Sequence, residues 1–194
     1  MQYVVGVDEA GRGPLAGPVA VGVVMVPQNL NIKELFPGVA DSKKLTEKKR
    51  EEIYKLLKQL AYARKIHFCV VFASAKVIDR DGITKAVRDA VWKGVRTLTP
   101  DPKGVSVLLD GLLLAPPQYT QKTIIRGDAT EPIISLASIA AKVERDRWMV
   151  GLAKKFPGYG FEIHKGYGTQ KHIAAIKKNG LCAIHRTTFK IGKK

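Results

Sequence analysis

Four carboxylates stand at the ends of strand-like segments, and the chemistry of this chain is expected where those segments end. They are Asp8 and Glu9 after Val4–Val7, Asp110 after Val105–Leu109, and Asp128 after Lys122–Arg126. Neighbouring strands of an α/β sheet bring their ends together, and ligands gather at such edges. The four acids are therefore expected to lie close to one another.

Carboxylates brought this close repel each other unless a cation neutralises them. Oxygen-only ligation suits Mg²⁺ or Mn²⁺, and two such ions can activate a water and stabilise the leaving oxygen of a phosphodiester. Each acid also has a plainer interpretation, because an Asp before Gly, as at Asp110-Gly111, is commonly a turn residue. Asp8 and Glu9 could likewise be solvated turn acids. The recurrence of acids at strand ends favours the metal site.

A short glycine-rich segment, Gly11-Arg12-Gly13, follows the first two acids. Its two glycines allow backbone N–H groups to approach a ligand closely, and an arginine between them can bind phosphate through two nitrogens. A lone Gly-Arg-Gly is usually a flexible turn. Next to two acids at a strand end, it indicates a contact with nucleic acid.

The composition is strongly basic, with 33 Lys and Arg against 17 Asp and Glu and a net charge of +16. A phosphate backbone is the commonest partner of such a surface, although a solvated, lysine-rich surface of the thermophile type is the alternative. No apolar run is long enough for a membrane span, and the first residues lack a signal-peptide pattern. We expect a cytoplasmic monomer in which Cys69 is a buried free thiol and a disulfide with Cys182 is unsupported.

The hydrophobic pattern predicts strands that first form a hairpin and then alternate with helices. The strands are predicted at Tyr3–Val7, Val19–Val26, Lys65–Ala73, Val105–Leu109 and Lys122–Arg126, and the helices from an N-cap at Thr46 and over Ile83–Leu98, Pro132–Lys155 and Gln170–Lys178. This order indicates an α/β domain with a mixed sheet flanked by helices. We predict a catalytic domain over residues 1–155. Residues 156–194 are predicted to form a small basic, helical segment that packs on that domain and contacts substrate.

Several longer motifs carry a resemblance to a known family. They are Asp8–Val19, Asp41–Leu45, Leu109–Gly111, Gly127-Asp128, Ala137–Val143 with Arg145-Asp146, His164–Thr169 and His185–Phe189. In this order, and over nearly the whole chain, the sequence resembles bacterial ribonuclease HII. The first and the His164–Thr169 motifs are long enough to be specific.

The resemblance implies a ribonuclease H-like fold, with Asp8, Glu9, Asp110 and Asp128 as catalytic ligands of Mg²⁺ or Mn²⁺. It implies that Gly11, Arg12 and Gly13 sense the ribose 2′-hydroxyl, by which a protein distinguishes RNA from DNA. It also implies that Tyr167 stacks on the sugar 3′ of the ribonucleotide, and that Lys43 and Lys44 hold phosphates. The implied substrates are RNA–DNA hybrids and duplex DNA with embedded ribonucleotides. The cut is expected 5′ of the ribonucleotide, leaving 3′-hydroxyl and 5′-phosphate ends.

Four further residues are candidates for supporting roles. Asp146 is either a fifth acid near the metals or half of a helix-surface ion pair. Ser138 and Lys142 are four apart on one helix, so both could face the site, although packing is the simpler role for Ser138. His164 could contact phosphate or be structural. The spacing of His67, His172 and His185 does not indicate a zinc site.

Two other functions remain open at the level of sequence. One is a catalytically silent RNA–DNA binding module, although a phosphate binder gains nothing from clustered negative charge. The other is a different nuclease on the same type of sheet, such as a junction-resolving or integrase-like enzyme. A cleavage assay distinguishes the silent binding module from a ribonuclease. The substrate preference distinguishes the other nucleases from a ribonuclease.

Overall fold

The computed structural model describes residues 2–39 and 45–191, and it contains a five-stranded mixed sheet. The strands are β1 (Tyr3–Ala10), β2 (Val19–Pro27), β3 (His67–Ala73), β4 (Val105–Asp110) and β5 (Thr120–Ile124), in the spatial order β3-β2-β1-β4-β5. All five predicted strands are present, although β1 continues three residues beyond its predicted end and β5 lies two residues earlier. Lys43 and Lys44 lie outside the described residues.

Eight helices surround the sheet in the described part of the chain. They are α1 (Ile32–Leu35), α2 (Glu47–Tyr62), α3 (Ala75–Asp81), α4 (Ile83–Leu98), α5 (Gly127–Thr130), α6 (Pro132–Lys155), α7 (Phe161–His164) and α8 (Gln170–Asn179). Thr46 caps α2 as predicted, accepting a hydrogen bond from the Lys49 N–H. Of the helices described, none is both long and apolar enough to cross a membrane.

The central strand β1 determines which residues meet at the edge of the sheet. It pairs antiparallel with β2, which confirms the predicted hairpin, and parallel with β4. In the parallel register Val7 stands opposite Leu109. The next residues of the two strands, Asp8 and Asp110, therefore continue side by side.

Close packing of α6 on the sheet depends on glycines in the strands. A Cβ at Gly6 would lie 2.4 Å from the Ile133 carbonyl oxygen, and one at Gly22 would lie 2.1 Å from that of Ala137. Small buried residues of α6, such as Ala137 and Ala141, supply the other half of this close approach. One face of the sheet thus packs against α6 and α2, while α4 covers the other.

The C-terminal segment packs beside the loop that joins β1 to β2. Ala16 forms an isolated antiparallel bridge with His185, and the Gly17 N–H donates to the Ile184 carbonyl at 2.8 Å. A small core of its own includes Tyr159 and Phe161. These contacts place residues 156–191 directly against the Gly11–Gly17 loop.

Candidate active site

The four predicted acids gather at one edge of the sheet, but not all at strand ends. Asp8 and Glu9 lie within β1 rather than after it, and Asp110 is the last residue of β4. Asp128 lies in the single turn α5, because β5 already ends at Ile124. The Asp128 backbone N–H donates to Oδ1 of Asp110 at 3.4 Å, which fixes the turn against β4.

Burial and mutual repulsion make this edge electrostatically unfavourable for carboxylates. Asp8 is 5% exposed. Loss of solvation raises its pKa well above the ordinary value, and the charges of Glu9 and Asp110 raise it further, against a hydrogen bond from Ser138. The pKa of Glu9 is also raised by burial and by Asp110, while Arg12 opposes the shift. A cation at this edge would remove the cost of these charges.

The donor set fits a hard divalent cation in its chemistry, since every candidate ligand is a carboxylate oxygen. It does not form a finished cage: among residues 2–39 and 45–191, no three His, Cys, Asp or Glu side chains are grouped closely enough to hold a metal ion as they stand.

A cleft of about 400 Å³ opens beside the acids. Its lining consists of Glu9, Ala10, Gly11, Arg12, Gly13, Arg50, Ser138, Ile139, Lys142 and Tyr167. The structure thus brings the glycine-rich segment, Tyr167 and Glu9 to one cavity, whereas Asp8 and Asp128 lie buried behind it. Arg12 also lies 3.5 Å from a Glu9 carboxylate oxygen.

The ring of Tyr167 is partly exposed and lies near two cationic side chains. Its side chain is 41% exposed. The ammonium of Lys142 lies 5.8 Å from the ring centroid, and the buried guanidinium of Arg145 lies 5.7 Å from it. Cations at these distances attract the ring and hold it in place. The ring is therefore available for stacking and is supported from its own protein.

The four supporting candidates separate into two groups. Ser138 and Lys142 line the cleft, as their spacing on α6 predicted. Asp146 pairs with Lys142 at 3.0 Å and is absent from the cleft lining, so the structure has the helix ion pair. Contact of His164 with phosphate is not supported, because its ring is buried, faces the Tyr159 carbonyl through Nε2, and accepts from the Gly166 N–H at Nδ1.

One cleft residue escaped prediction from sequence. Arg50 lies on α2 and faces the cavity, where it also donates to the Leu45 carbonyl. In the sequence it is one of many basic residues on the polar side of an amphipathic helix. Nothing in that local pattern distinguishes it.

A buried histidine cluster beneath the Tyr167 loop also escaped prediction. Nε2 of His172 and Nε2 of His185 are 3.1 Å apart, and the ring of His164 stacks on His172 at 4.4 Å. Nδ1 of His172 contacts the Tyr167 carbonyl at 2.9 Å. Burial lowers the pKa of His172 to about 4, so the ring is neutral at physiological pH. The cluster supports the loop through hydrogen bonds rather than charge.

The two cysteines are free thiols, as expected. Cys69 is only partly buried in β3, yet burial raises its pKa to about 11. Cys182 lies 3.2 Å from Nδ1 of His185 within the histidine cluster.

Comparison with known proteins gives consistent matches over the whole chain. A family model described as Ribonuclease HII matches residues 5–191. The chain is 44% identical over 187 residues to a ribonuclease HII of Endomicrobium trichonymphae, covering 96% of this chain and 84% of that protein. It is 46% identical over 187 residues to one of Geobacter metallireducens, covering 96% and 83%.

Solved structures give the same fold. The ribonuclease HII of a complex with PCNA from Archaeoglobus fulgidus has a TM-score of 0.79 at 24% identity, covering 99% of this chain and 97% of that one. Ribonuclease H2 from Pyrococcus horikoshii OT3 has a TM-score of 0.76 at 28% identity, covering 98% and 95%. Bst-RNase HIII in complex with Mn²⁺ has a TM-score of 0.66 at 19% identity, covering 97% and 67%. The chain has a ribonuclease H-like fold.

Proposed function

Because this chain belongs to the ribonuclease HII family, whose members act on the phosphodiester bonds of RNA–DNA hybrids, we propose that it also cuts DNA duplexes on the 5′ side of an embedded ribonucleotide. The products would carry 3′-hydroxyl and 5′-phosphate ends. The observation that carries this proposal is the acidic edge beside the cleft: the buried Asp8 and the partly buried Glu9 and Asp110 adjoin a cavity lined by the Gly11–Gly13 loop and Tyr167.

The catalytic half of the site consists of Asp8, Glu9, Asp110 and Asp128. These carboxylates would hold two Mg²⁺ or Mn²⁺ ions, which activate the attacking water and stabilise the leaving oxygen when bound. A Mn²⁺ complex of the more distant Bst-RNase HIII supports divalent-metal dependence. Repulsion among Asp8, Glu9 and Asp110 gives the site its affinity for cations.

The recognition half consists of the cleft residues. Backbone N–H groups of the Gly11–Gly13 loop would bind around the scissile phosphate and the 2′-hydroxyl, which DNA lacks. Tyr167 would stack on the next sugar, and Arg50 and Lys142 would bind neighbouring phosphates. Lys43 and Lys44 are proposed for the same role from the family resemblance alone. Through Tyr167, residues 156–194 would contact substrate.

One cleavage assay tests the proposal. A duplex labelled on the strand that carries one ribonucleotide is incubated with Mg²⁺, with Mn²⁺ or with chelator, beside an all-DNA duplex of the same sequence. We expect metal-dependent cutting at the 5′ side of the ribonucleotide only, with a 3′-hydroxyl that a ligase can rejoin to the 5′-phosphate. Binding without cutting in either metal would indicate a silent module. Equal cutting of the all-DNA duplex would indicate another nuclease.

The cytoplasmic location and the monomeric state stay predictions. Exposed apolar side chains follow β4 and β5, with Leu112 at 92% and Ile125 at 80% exposure. The sequence does not indicate an exposed apolar stripe at these positions. Light scattering across a range of concentrations checks the monomer, because association through these residues would raise the mass with concentration.

A further inference from the structure

Arg186 is buried beneath the glycine-rich loop and binds it through three carbonyls. Its side chain is 1% exposed. Nη2 donates to the Gly11 carbonyl at 2.7 Å, Nη1 to that of Arg12 at 2.8 Å and Nε to that of Gly17 at 3.0 Å. Within residues 2–39 and 45–191 it forms no ion pair. In the described part of the chain, the hydrogen bonds of this guanidinium are therefore all made to carbonyls of the segment Gly11–Gly17.

The orientation of these carbonyls determines where the loop directs its N–H groups. In a trans peptide the C=O of one residue and the N–H of the next point in opposite directions. Because the Gly11 and Arg12 carbonyls face Arg186, the N–H groups of Arg12 and Gly13 face away from it. Both residues line the cleft, whose lining does not include Arg186. Arg186 thus directs two donors toward the place where substrate is proposed to bind.

Backbone hydrogen bonds hold the end of the loop, where the Leu15 N–H donates to the Gly166 carbonyl and the Gly17 N–H to the Ile184 carbonyl, both at 2.8 Å. The loop residues form no strand beyond Ala10, and Gly11 adopts a left-handed φ of +87°. A second buried arginine, Arg145, supports the other side of the loop by donating to the Pro18 carbonyl at 2.9 Å and the Lys165 carbonyl at 3.0 Å. Two guanidinium groups thus support the loop and its surroundings, together with these backbone contacts.

Arg186 is itself held in place by its neighbours. The backbone N–H of Arg186 donates to the Leu15 carbonyl at 2.8 Å. Asp79 on α3 accepts four hydrogen bonds from the backbone and hydroxyl groups of Thr187 and Thr188, over 2.7–3.1 Å. These bonds lower the pKa of Asp79 despite some desolvation, so the anchor is ionised at neutral pH.

We propose that Arg186 is a positioning residue for ribonucleotide recognition, because it aims the Arg12 and Gly13 N–H groups at the sugar-phosphate of the substrate. The proposal rests on the function proposed above for the loop. A merely structural arginine would stabilise the fold without affecting the choice between ribose and deoxyribose. The two roles are separated by a measurement of that choice.

The primary test compares Arg186→Lys with the wild-type protein. Lysine keeps the charge, but its single nitrogen cannot span three carbonyls as a planar guanidinium does. Arg88→Lys is the matched control, because Arg88 is exposed, pairs with Asp89, and contacts the Trp92 ring on α4 rather than the cleft. The measurements are the single-turnover cleavage rate of the one-ribonucleotide duplex, and the Kd of that duplex and of its all-DNA counterpart in chelator.

We expect Arg186→Lys to lower the single-turnover rate by roughly 30- to 100-fold, as misplacement of a positioning group by about 1 Å does. The preference for the ribonucleotide-containing duplex should fall, while the Kd for the all-DNA duplex stays near wild type. The melting temperature should also fall, because buried carbonyls lose hydrogen bonds, so the preference for ribose is the measurement that separates the two roles. A wild-type rate and preference would overturn the proposal. Equal weakening of both duplexes together with a lower melting temperature would also overturn it, because it would indicate a structural role.

A second variant keeps the test decisive if Arg186→Lys does not fold. Asp79→Ala removes four hydrogen bonds behind Arg186 without touching the loop. It should lower the preference for the ribonucleotide in the same sense but less, and an unchanged preference would overturn the proposal. Failure of the proposed function has a different signature: the wild-type protein itself would not distinguish the two duplexes.

Discussion

The acidic edge and the glycine-rich loop lie side by side in this protein, yet they are completed to different degrees. At the acidic edge, burial and like charges raise the pKa values of Asp8 and Glu9, and the described carboxylates do not form a metal cage. In the loop, the carbonyls of Gly11, Arg12 and Gly17 are each bound by Arg186. The described contacts thus hold the proposed recognition loop without a ligand, whereas the proposed catalytic edge would depend on bound cations.

This difference indicates how the two halves should respond to change. A surface assembled by a ligand loses function when a ligating atom is lost, with little cost to the fold. A surface assembled by the protein is sensitive to side-chain volume and backbone conformation. Substitutions in the two regions should therefore separate activity from stability.

The largest expected effect is on catalysis at the acidic edge. Asp110→Asn should keep the fold and the affinity for nucleic acid but lower the cleavage rate by roughly 1,000-fold or more, because transition-state stabilisation by metal ions contributes several kcal/mol. Single-turnover cleavage and a binding titration measure the two properties. Retained cleavage, or loss of binding by a folded variant, would contradict the assignment of Asp110.

A second effect concerns stability in the presence of metal. Mn²⁺ or Mg²⁺ at a hundred times its Kd should raise the free energy of unfolding by about 2.7 kcal/mol per site. Calorimetry with and without chelator measures this shift. Asp8→Asn should reduce the response to metal, and the metal-free variant should be at least as stable as the wild type because a buried charge is removed. An equal metal response in the variant would place the ions elsewhere.

A third effect contrasts two glycines of the loop. A Cβ at Gly11 would lie 1.9 Å from Nε of Arg145, whereas one at Gly13 would have no atom within 4 Å. Gly11→Ala should therefore destabilise the protein by about 2 kcal/mol, since it combines a collision with strain at positive φ. Gly13→Ala should leave stability unchanged and affect only substrate binding. Denaturant unfolding checks both, and equal stability of the two variants would contradict the loop structure.

The last effect is a pH dependence that comes from the histidine cluster. The pKa of His172 is lowered to about 4 in the folded protein, below the ordinary 6.5. Between these values the unfolded chain binds a proton that the folded protein does not, so stability falls as pH falls from 6.5 toward 4. One proton gives a slope of at most about 1.4 kcal/mol per pH unit.

The variant His172→Gln should show a shallower slope than the wild type over this range. Urea unfolding at pH 7, 6 and 5 measures it, with His67→Gln as the control because His67 is exposed at the start of β3. Identical slopes in wild type and His172→Gln would show that another group titrates.

The sequence predicted the larger elements and the acidic edge because both depend on local patterns. Helices α4 and α6 have the predicted bounds, since an apolar repeat or a proline in the first turn indicates them. The short helices α1, α3, α5 and α7 went unpredicted, because four to seven residues give too little periodicity. Asp128 was assigned to a strand end for that reason.

Contacts between distant parts of the chain could not be predicted from these patterns. No local pattern indicated that Arg186 contacts the Gly11 carbonyl, or that His172 contacts His185, because such pairs are determined by tertiary packing. In the sequence, Arg50 is one of many basic residues, and only the position of α2 in the fold shows that it lines the cleft. The roles of single residues in recognition are thus less visible in sequence than the acids are.

The link between Arg186 and Gly11 spans 175 positions, and this separation affects the order in which the protein is made. A ribosome adds about 5–20 residues per second, so roughly ten to thirty seconds pass between synthesis of the two partners. During that interval the acids of β1 already exist, but the loop that would select their target lacks its support. The discrimination between ribose and deoxyribose proposed for the loop would therefore be acquired only after Arg186 has been synthesised.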